Sequence, residues 1–235
     1  MNPDPGRLIR LRRPPVFNTV PDRWIPESVD LDRVDDAWES LRAENPRYHD
    51  GEVLHVLGVV RNGHGGATVH LAPSSYRFLA VRSRGIDTGI RPLGVKGLCL
   101  IRGDSTSNGR FLAGLRSERS GSYPGRWEFL PGGGVPPEAD GTVRPELVFG
   151  RELREECGLD AVDEPVPMAI LRDDEVGTWE VVYRATVDRI PTSTPGWEHD
   201  RLAAVRPREL PDPASEAAVM LVPLADAIVE ASSGG

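Results

Sequence analysis

Three glutamates fall within five residues of the stretch RELREECGL, Arg151 to Leu159: Glu152, Glu155 and Glu156. On a helix, residues three and four apart share a face, so this spacing predicts that the three carboxylates project together. Like charges so placed cost each pair a few tenths of a kcal/mol, roughly, and the negative C-terminal end of the helix dipole adds to the cost. Arg151, four residues before Glu155, relieves only part of it. One reading is a solvated, charged helix face. The other is a hard divalent cation, since Mg²⁺ takes carboxylate oxygens and keeps several positions for water or phosphate. The triplet Gly132, Gly133 and Gly134 lies upstream, where a backbone without side chains can approach a ligand closely. Spacing alone leaves both readings open.

The elements that must position these residues can be read from period and punctuation. Pro145 suits the first turn of a helix through PELVFGRELREEC, and Gly158 suits a left-handed C-cap just past its end. Leu147, Gly150, Leu153 and Cys157 then face a sheet. Residues 1 to 28 are rich in Pro and Arg without period and read as an extended arm. Its cluster Arg7, Arg10, Arg12 and Arg13 suits either an anionic partner or a solvated tail. Asp30 caps a helix with Leu31, Val34, Trp38 and Leu41 on one face, stopped at Asn45-Pro46. Strands are expected at 52–60, 67–72, 76–82, 93–101, 110–117, 166–172 and 178–188, with turns at NGHGG and from Asp104 to Gly109. WEFLP runs into the glycines, PTSTPGWEHD reads as a loop, VMLVPL as a short strand and LADAIVEA as a final helix. Without regular βαβ alternation the class is α+β or mixed α/β. The division expected is an arm (1–28), a strand-rich extension (29–90) and a main domain (91–235).

Composition excludes several classes. A formal charge of −8 and a pI near 5.2 argue against a sequence-independent nucleic-acid binder, and no helix-turn-helix pattern or basic stripe is present. No window approaches the roughly twenty apolar residues of a membrane span. The basic start MNPDPGRLIRLRRPP has no apolar run behind it, so neither a signal peptide nor an anchor is expected. Cys99 and Cys157 read as free buried thiols, which fits a reducing, cytoplasmic setting. There is no Cys/His spacing for zinc. Lys96 is the only lysine, which reads as compositional bias.

The residues resemble the Nudix hydrolases, whose signature is G-x5-E-x7-R-E-U-x-E-E-x-G-U with U aliphatic. Arg151, Glu152, Leu153, Glu155, Glu156, Gly158 and Leu159 match its second half, and YPGRWEFLPGGG resembles the usual lead-in. The resemblance spans about residues 92 to 230. It departs in the loop VPPEADGTVRP: Arg151 follows Gly133 by eighteen residues rather than fourteen, and Val143 stands where the first Glu belongs. Glu138 and Glu146 are the spatial substitutes to consider. In layout, residues 37–59 and 74–101 are also similar to the branch that cleaves UDP-glucose and related UDP-sugars.

The resemblance implies an α/β/α sandwich with an N-terminal extension, and Mg²⁺-dependent (or Mn²⁺-dependent) hydrolysis of the diphosphate in a nucleoside diphosphate linked to another group. The metal would be held by Glu152, Glu155 and Glu156, with the Gly133 carbonyl as a further ligand and Arg151 orienting Glu155. Glu152 itself, or Glu198 and then Glu175 in later loops, would activate the water; the loop acids equally suit ordinary exposed positions. Arg116 is a candidate for a substrate phosphate and also for a surface ion pair. Trp197 or Tyr123 would stack on a base or sugar, or serve as core or rim aromatics. His199 would act near the leaving group or stay a hydrogen-bonded loop residue. Substrates run from UDP-sugars to ADP-ribose or another dinucleotide. A catalytically silent nucleotide sensor is the alternative of a different class. A prenyl diphosphate isomerase would need a catalytic cysteine, and Cys99 lies in a buried run. Residues 1–90 would close over the pocket or join two copies as a homodimer.

Overall fold

The computed structural model describes residues 8–63, 65–102, 109–191 and 194–233. Arg7, His64 of the NGHGG turn, residues 104–108, Thr192, Ser193 and the last two glycines lie outside them. The strands are β1 (Leu8–Arg10), β2 (Val16–Thr19), β3 (Glu52–Arg61), β4 (Ala67–Ser75), β5 (Leu93–Ile101), β6 (Phe111–Arg116), β7 (Trp127–Phe129), β8 (Gly132–Gly134), β9 (Val166–Asp173), β10 (Thr178–Val187) and β11 (His199–Val205). The helices are α1 (Leu31–Glu44), α2 (Arg77–Ala80), α3 (Pro145–Cys157) and α4 (Glu216–Ser233).

The larger sheet runs β1-β9-β10-β5-β6-β11, with β7 paired to β6 and β8 to β5. It is mixed: β10 and β5 are parallel and the other pairs antiparallel. Successive residues of a strand face opposite sides, and the core divides accordingly. Val95, Cys99, Ile170 and Val181 pack on the side of Val148, Phe149, Leu153 and Cys157 from α3. Leu98, Ala169, Leu171 and Val182 pack on the side of Ala217, Leu221, Leu224 and Ile228 from α4. This is the α/β/α sandwich the sequence implied. The smaller sheet, β2-β4-β3, shares the α3 side of the core through Leu54, Val56, Val69 and Leu71.

The arm is extended but built in: β1 pairs with β9 of the large sheet and β2 with β4 of the small one. Asp30 caps α1 by accepting from the Asp32 N–H at 3.1 Å, and Asn45 ends it. Val34, Trp38 and Leu41 are buried, whereas Leu31 in the first turn is exposed. Three expectations fail for physical reasons. Residues 76–82 form α2 and a 3-10 turn, not a strand. Phe78 and Val81, three apart, both pack against Val34, Trp38 and Leu41, and the Arg77 N–H donates to Asp50. VMLVPL belongs to α4, where Ala217, Leu221, Leu224 and Ile228 keep helical spacing. Pro223 removes the N–H that would reach the Val219 carbonyl, but Val219 is exposed, so water can serve that oxygen. HDRLAAV, whose first residues closed an expected loop, is β11. Among the described residues no helix is long and apolar enough to cross a membrane.

Candidate functional site

Helix α3 is bounded as its sequence dictates. Pro145 opens it, and Gly158 closes it at φ 64 with its N–H donating to the Arg154 carbonyl at 2.9 Å. The three glutamates do not share one exposed face. Glu155 is exposed, Glu152 half-buried and Glu156 only 6% exposed, turned toward the sheet with Leu153 and Cys157. Conversely Leu147, expected to pack inward, is exposed. The helix is rotated so that the glutamates fan around a cavity of roughly 110 Å³ instead of standing in water.

That cavity is lined by Glu152, Glu155 and Glu156 on one side and by Trp197, Glu198 and His199 on the other. The second wall runs into the start of β11, whose pairing with β6 shifts register between His199 and Arg201. Such a bulge re-aims side chains at the end of a strand. The Glu198 carbonyl is pinned by the Ser117 N–H (2.8 Å) and the Ser120 hydroxyl (3.0 Å). The glycine triplet forms β8 against β5. A Cβ on Gly133 would sit 2.5 Å from the Glu152 carboxyl carbon, so this strand lies against the helix only because it lacks side chains.

The electrostatics set Glu156 apart. Its Oε2 accepts from the Gly132 N–H at 3.2 Å, while its buried Oε1 has no hydrogen-bond partner among the described residues. Burial pushes its carboxyl up to about 8, against the pull of Lys96 and Arg116. Glu152 is likewise raised by burial, although Arg151 donates to its Oε1 at 2.9 Å. Arg151 is thus nearer to Glu152 than to Glu155, whose Oε1 is 3.9 Å away. His199 is pushed down to about 4 by burial and then by Arg116, so its imidazole is neutral. Its Nε2 also lacks a partner among the described residues.

Other expectations divide. Trp197 lines the cavity and is 44% exposed. Arg116 does not line it: its Nη1 donates to Glu198 Oε2 at 3.2 Å, its Nε donates to the Ser122 carbonyl, and Glu128 lies 3.6 Å away. It holds Glu198 and has little freedom to reach a phosphate. Tyr123 is buried in the α4-side core and donates to both oxygens of Asp173 at 2.7 Å, which takes it out of any stacking role. Glu175 pairs with Arg126. Val143 packs against the core, so the first signature position is filled by an apolar contact, and neither Glu138 nor Glu146 lines the cavity.

Sequence reading missed what lies beneath. Lys96 is sealed with Glu128, side chains 8% and 5% exposed, at 3.0 Å. Burial alone would lower the Lys96 ammonium, but Glu128 and Glu180 hold it above its ordinary value. Burial pushes the Glu180 carboxyl up to about 7. A row of charges thus runs from Glu180 through Lys96, Glu128 and Arg116 to Glu198 at the cavity. A sole lysine inside an apolar strand was the available signal.

Among the described residues no three His, Cys, Asp or Glu side chains stand together closely enough to hold a metal as placed. The donor chemistry nevertheless fits a hard cation: three carboxylates face one cavity, and a buried carboxylate oxygen has no partner.

No family model matches this chain, and no curated protein matches it. Solved structures similar to part of it include a MutT NUDIX hydrolase from Burkholderia pseudomallei, 21% identical with a TM-score of 0.42, covering 56% of this chain and 95% of that one. The NUDIX domain of Shewanella oneidensis NrtR, solved with ADP ribose, is 16% identical with a TM-score of 0.46, over 58% of this chain and 87% of that one. The Bacillus subtilis pyrophosphohydrolase BsRppH is 18% identical with a TM-score of 0.40, over 59% and 81%. The likeness is confined to little more than half of this chain.

Proposed function

We propose that this chain hydrolyses the diphosphate bond of a nucleoside diphosphate linked to another group, with Mg²⁺ as cofactor and UDP-sugars as the first substrate class. The observation that carries this is the partnerless buried oxygen of Glu156 on the wall of a cavity that Glu152 and Glu155 also line. A solvated helix face would not turn a carboxylate inward and leave it unpaired. The match to the second half of the Nudix signature, Arg151 to Leu159, supports the same chemistry.

Glu152, Glu155 and Glu156 would hold the cation, and Mn²⁺ would substitute for Mg²⁺ there. When bound, the cation neutralises phosphate charge and lowers the pKa of attacking water. Glu198, fixed by Arg116 and by the Ser117 and Ser120 contacts to its backbone, would accept the proton of that water. The water oxygen forms a new bond to one phosphorus as the bridging P–O bond breaks. The products are a nucleoside monophosphate and a phosphorylated moiety. His199 lines the cavity, is neutral and has an Nε2 without a partner among the described residues; it would hydrogen-bond the substrate without adding charge.

Mg²⁺-dependent cleavage of UDP-glucose, UDP-N-acetylglucosamine, ADP-ribose, NADH and coenzyme A tests the reading, with Glu155→Gln/Glu156→Gln as control. Cleavage of one class, absent in the control, is expected. Val143 in the first signature position favours a second reading, a sensor without turnover. Stabilisation by a nucleotide with no cleavage across the panel would establish that instead.

A further inference from the structure

The N-terminal residues reach the cavity wall at Trp197. The Arg47 guanidinium carbon lies 5.5 Å from the centroid of the Trp197 ring. No other Trp, Tyr or Phe among the described residues is as exposed as Trp197, which lines the cavity together with Glu155 and Glu198. Arg47 is held by a turn after α1: Asn45 Oδ1 accepts from the Arg47 N–H at 3.1 Å, and the Asn45 carbonyl accepts from Tyr48 at 3.0 Å. Behind the turn, Tyr48 and Tyr76 stack with centroids 6.4 Å apart, and both stand edge-on to buried Trp38. The Tyr76 phenol is pushed up to about 12 by burial, then by Tyr48 and by Glu198.

We propose that Arg47 and Trp197 together recognise the nucleobase of the substrate, so that the N-terminal residues help to set which nucleotide is taken. This rests on the reading of the site as a nucleoside diphosphate hydrolase. An exposed indole offers a face on which any base stacks. A guanidinium brings only donors, held in a planar fork. A base carbonyl such as uracil O4 can accept from one of these donors. Adenine presents an exocyclic amino donor on the corresponding edge and pairs with the fork less well. Arg47 is exposed and makes no ion pair among the described residues, so stacking on Trp197 keeps its donors available to a ligand.

Calorimetric binding of UDP and of ADP, each with Mg²⁺, to the wild-type protein, Arg47→Ala, Arg47→Lys and Trp197→Ala tests the assignment. Wild type is expected to bind UDP at least about fivefold tighter than ADP. Arg47→Ala should weaken UDP by about tenfold and remove the preference, with Arg47→Lys recovering only part of it. Trp197→Ala should weaken both ligands, and thermal unfolding of all variants should match wild type because both side chains are exposed. Unchanged UDP affinity in Arg47→Ala, or no binding of either nucleotide by wild type, overturns the assignment. If the panel is hydrolysed while Arg47→Ala keeps the wild-type affinity, the proposed reaction stands and this assignment falls. If UDP binding depends on Arg47 but nothing is hydrolysed, the reverse holds.

Discussion

Around the three-stranded sheet, the buried hydroxyls and the buried imidazole are closed off by partners, whereas Arg82 Nη1 has no hydrogen-bond partner among the described residues. His55 Nδ1 accepts from the Arg91 N–H at 2.9 Å while its ring stacks on Trp24 at 4.1 Å. The hydroxyls of Ser74 and Thr88 donate to the carbonyls of Trp24 and Phe78. Arg77 Nε, which lacks a hydrogen bond there, still lies 3.9 Å from Asp50. At and beneath the acidic cavity, Glu156 Oε1, Glu180 Oε2 and His199 Nε2 all lack partners among the described residues. Leaving buried polar atoms unpaired costs free energy, of order 1–3 kcal/mol each. The first region spends its polar groups on structure, and the second keeps carboxylate and imidazole atoms in reserve. On the function proposed above, the unpaired carboxylate and imidazole atoms are where a ligand would complete the protein.

The largest effect should come from the reserve itself. Glu155→Gln/Glu156→Gln should reduce hydrolysis at least about 100-fold, a loss comparable to removing an electrostatic stabiliser from an active site. The metal-free variant should melt no lower than wild type, because Glu155 is exposed and burial already keeps Glu156 largely neutral. Steady-state rates and thermal unfolding check both halves. Next, Lys96→Met leaves Glu128 buried without its ammonium partner and should destabilise by about 3–5 kcal/mol, with Lys96→Met/Glu128→Leu recovering much of the loss. Denaturant unfolding of the single and double variants reads this.

A pH effect sharpens the structural side of the comparison. His55 is depressed to about 4, first by burial and then by Arg91. The unfolded chain therefore takes up this proton before the folded one, and the stability involved is complete above about 6.5 and lost as pH falls through 4. The loss should reach about 3 kcal/mol at most. His55→Asn, whose Oδ1 can still accept from the Arg91 N–H, should make that limb shallower and leave the share His199 contributes. The smallest effect is expected from Tyr123→Phe. Asp173 keeps its bonds from the Glu175 and Val176 N–H groups, so the cost should be about 1–2 kcal/mol, with no change in KM.

The parts of this molecule legible in its sequence are those written in local pattern. Pro145 and Gly158 bracket α3, and β5 follows the apolar run LGVKGLCLI residue for residue. Glu198 and Trp197 were named from their loop and do line the cavity with α3. What stayed hidden depends on distant partners. YRFLAVR carries apolar residues that suit a strand or a helix, and only the packing of Phe78 and Val81 on α1 decides for the helix. Nothing local tells Tyr123 from a surface aromatic, because Asp173 lies fifty residues away. The Lys96–Glu128 pair joins two strands across the sheet, and Glu156 is turned inward by a helix rotation that the spacing of three glutamates leaves undetermined.

Calorimetric titration of Mn²⁺ into the wild-type protein and into Glu155→Gln/Glu156→Gln tests the central claim most directly. If the unpaired carboxylates are kept for a cation, wild type binds it saturably, releases a proton from Glu156 on binding, and the double variant does neither. Identical titrations for the two proteins would contradict the account and return the glutamates to a charged helix face.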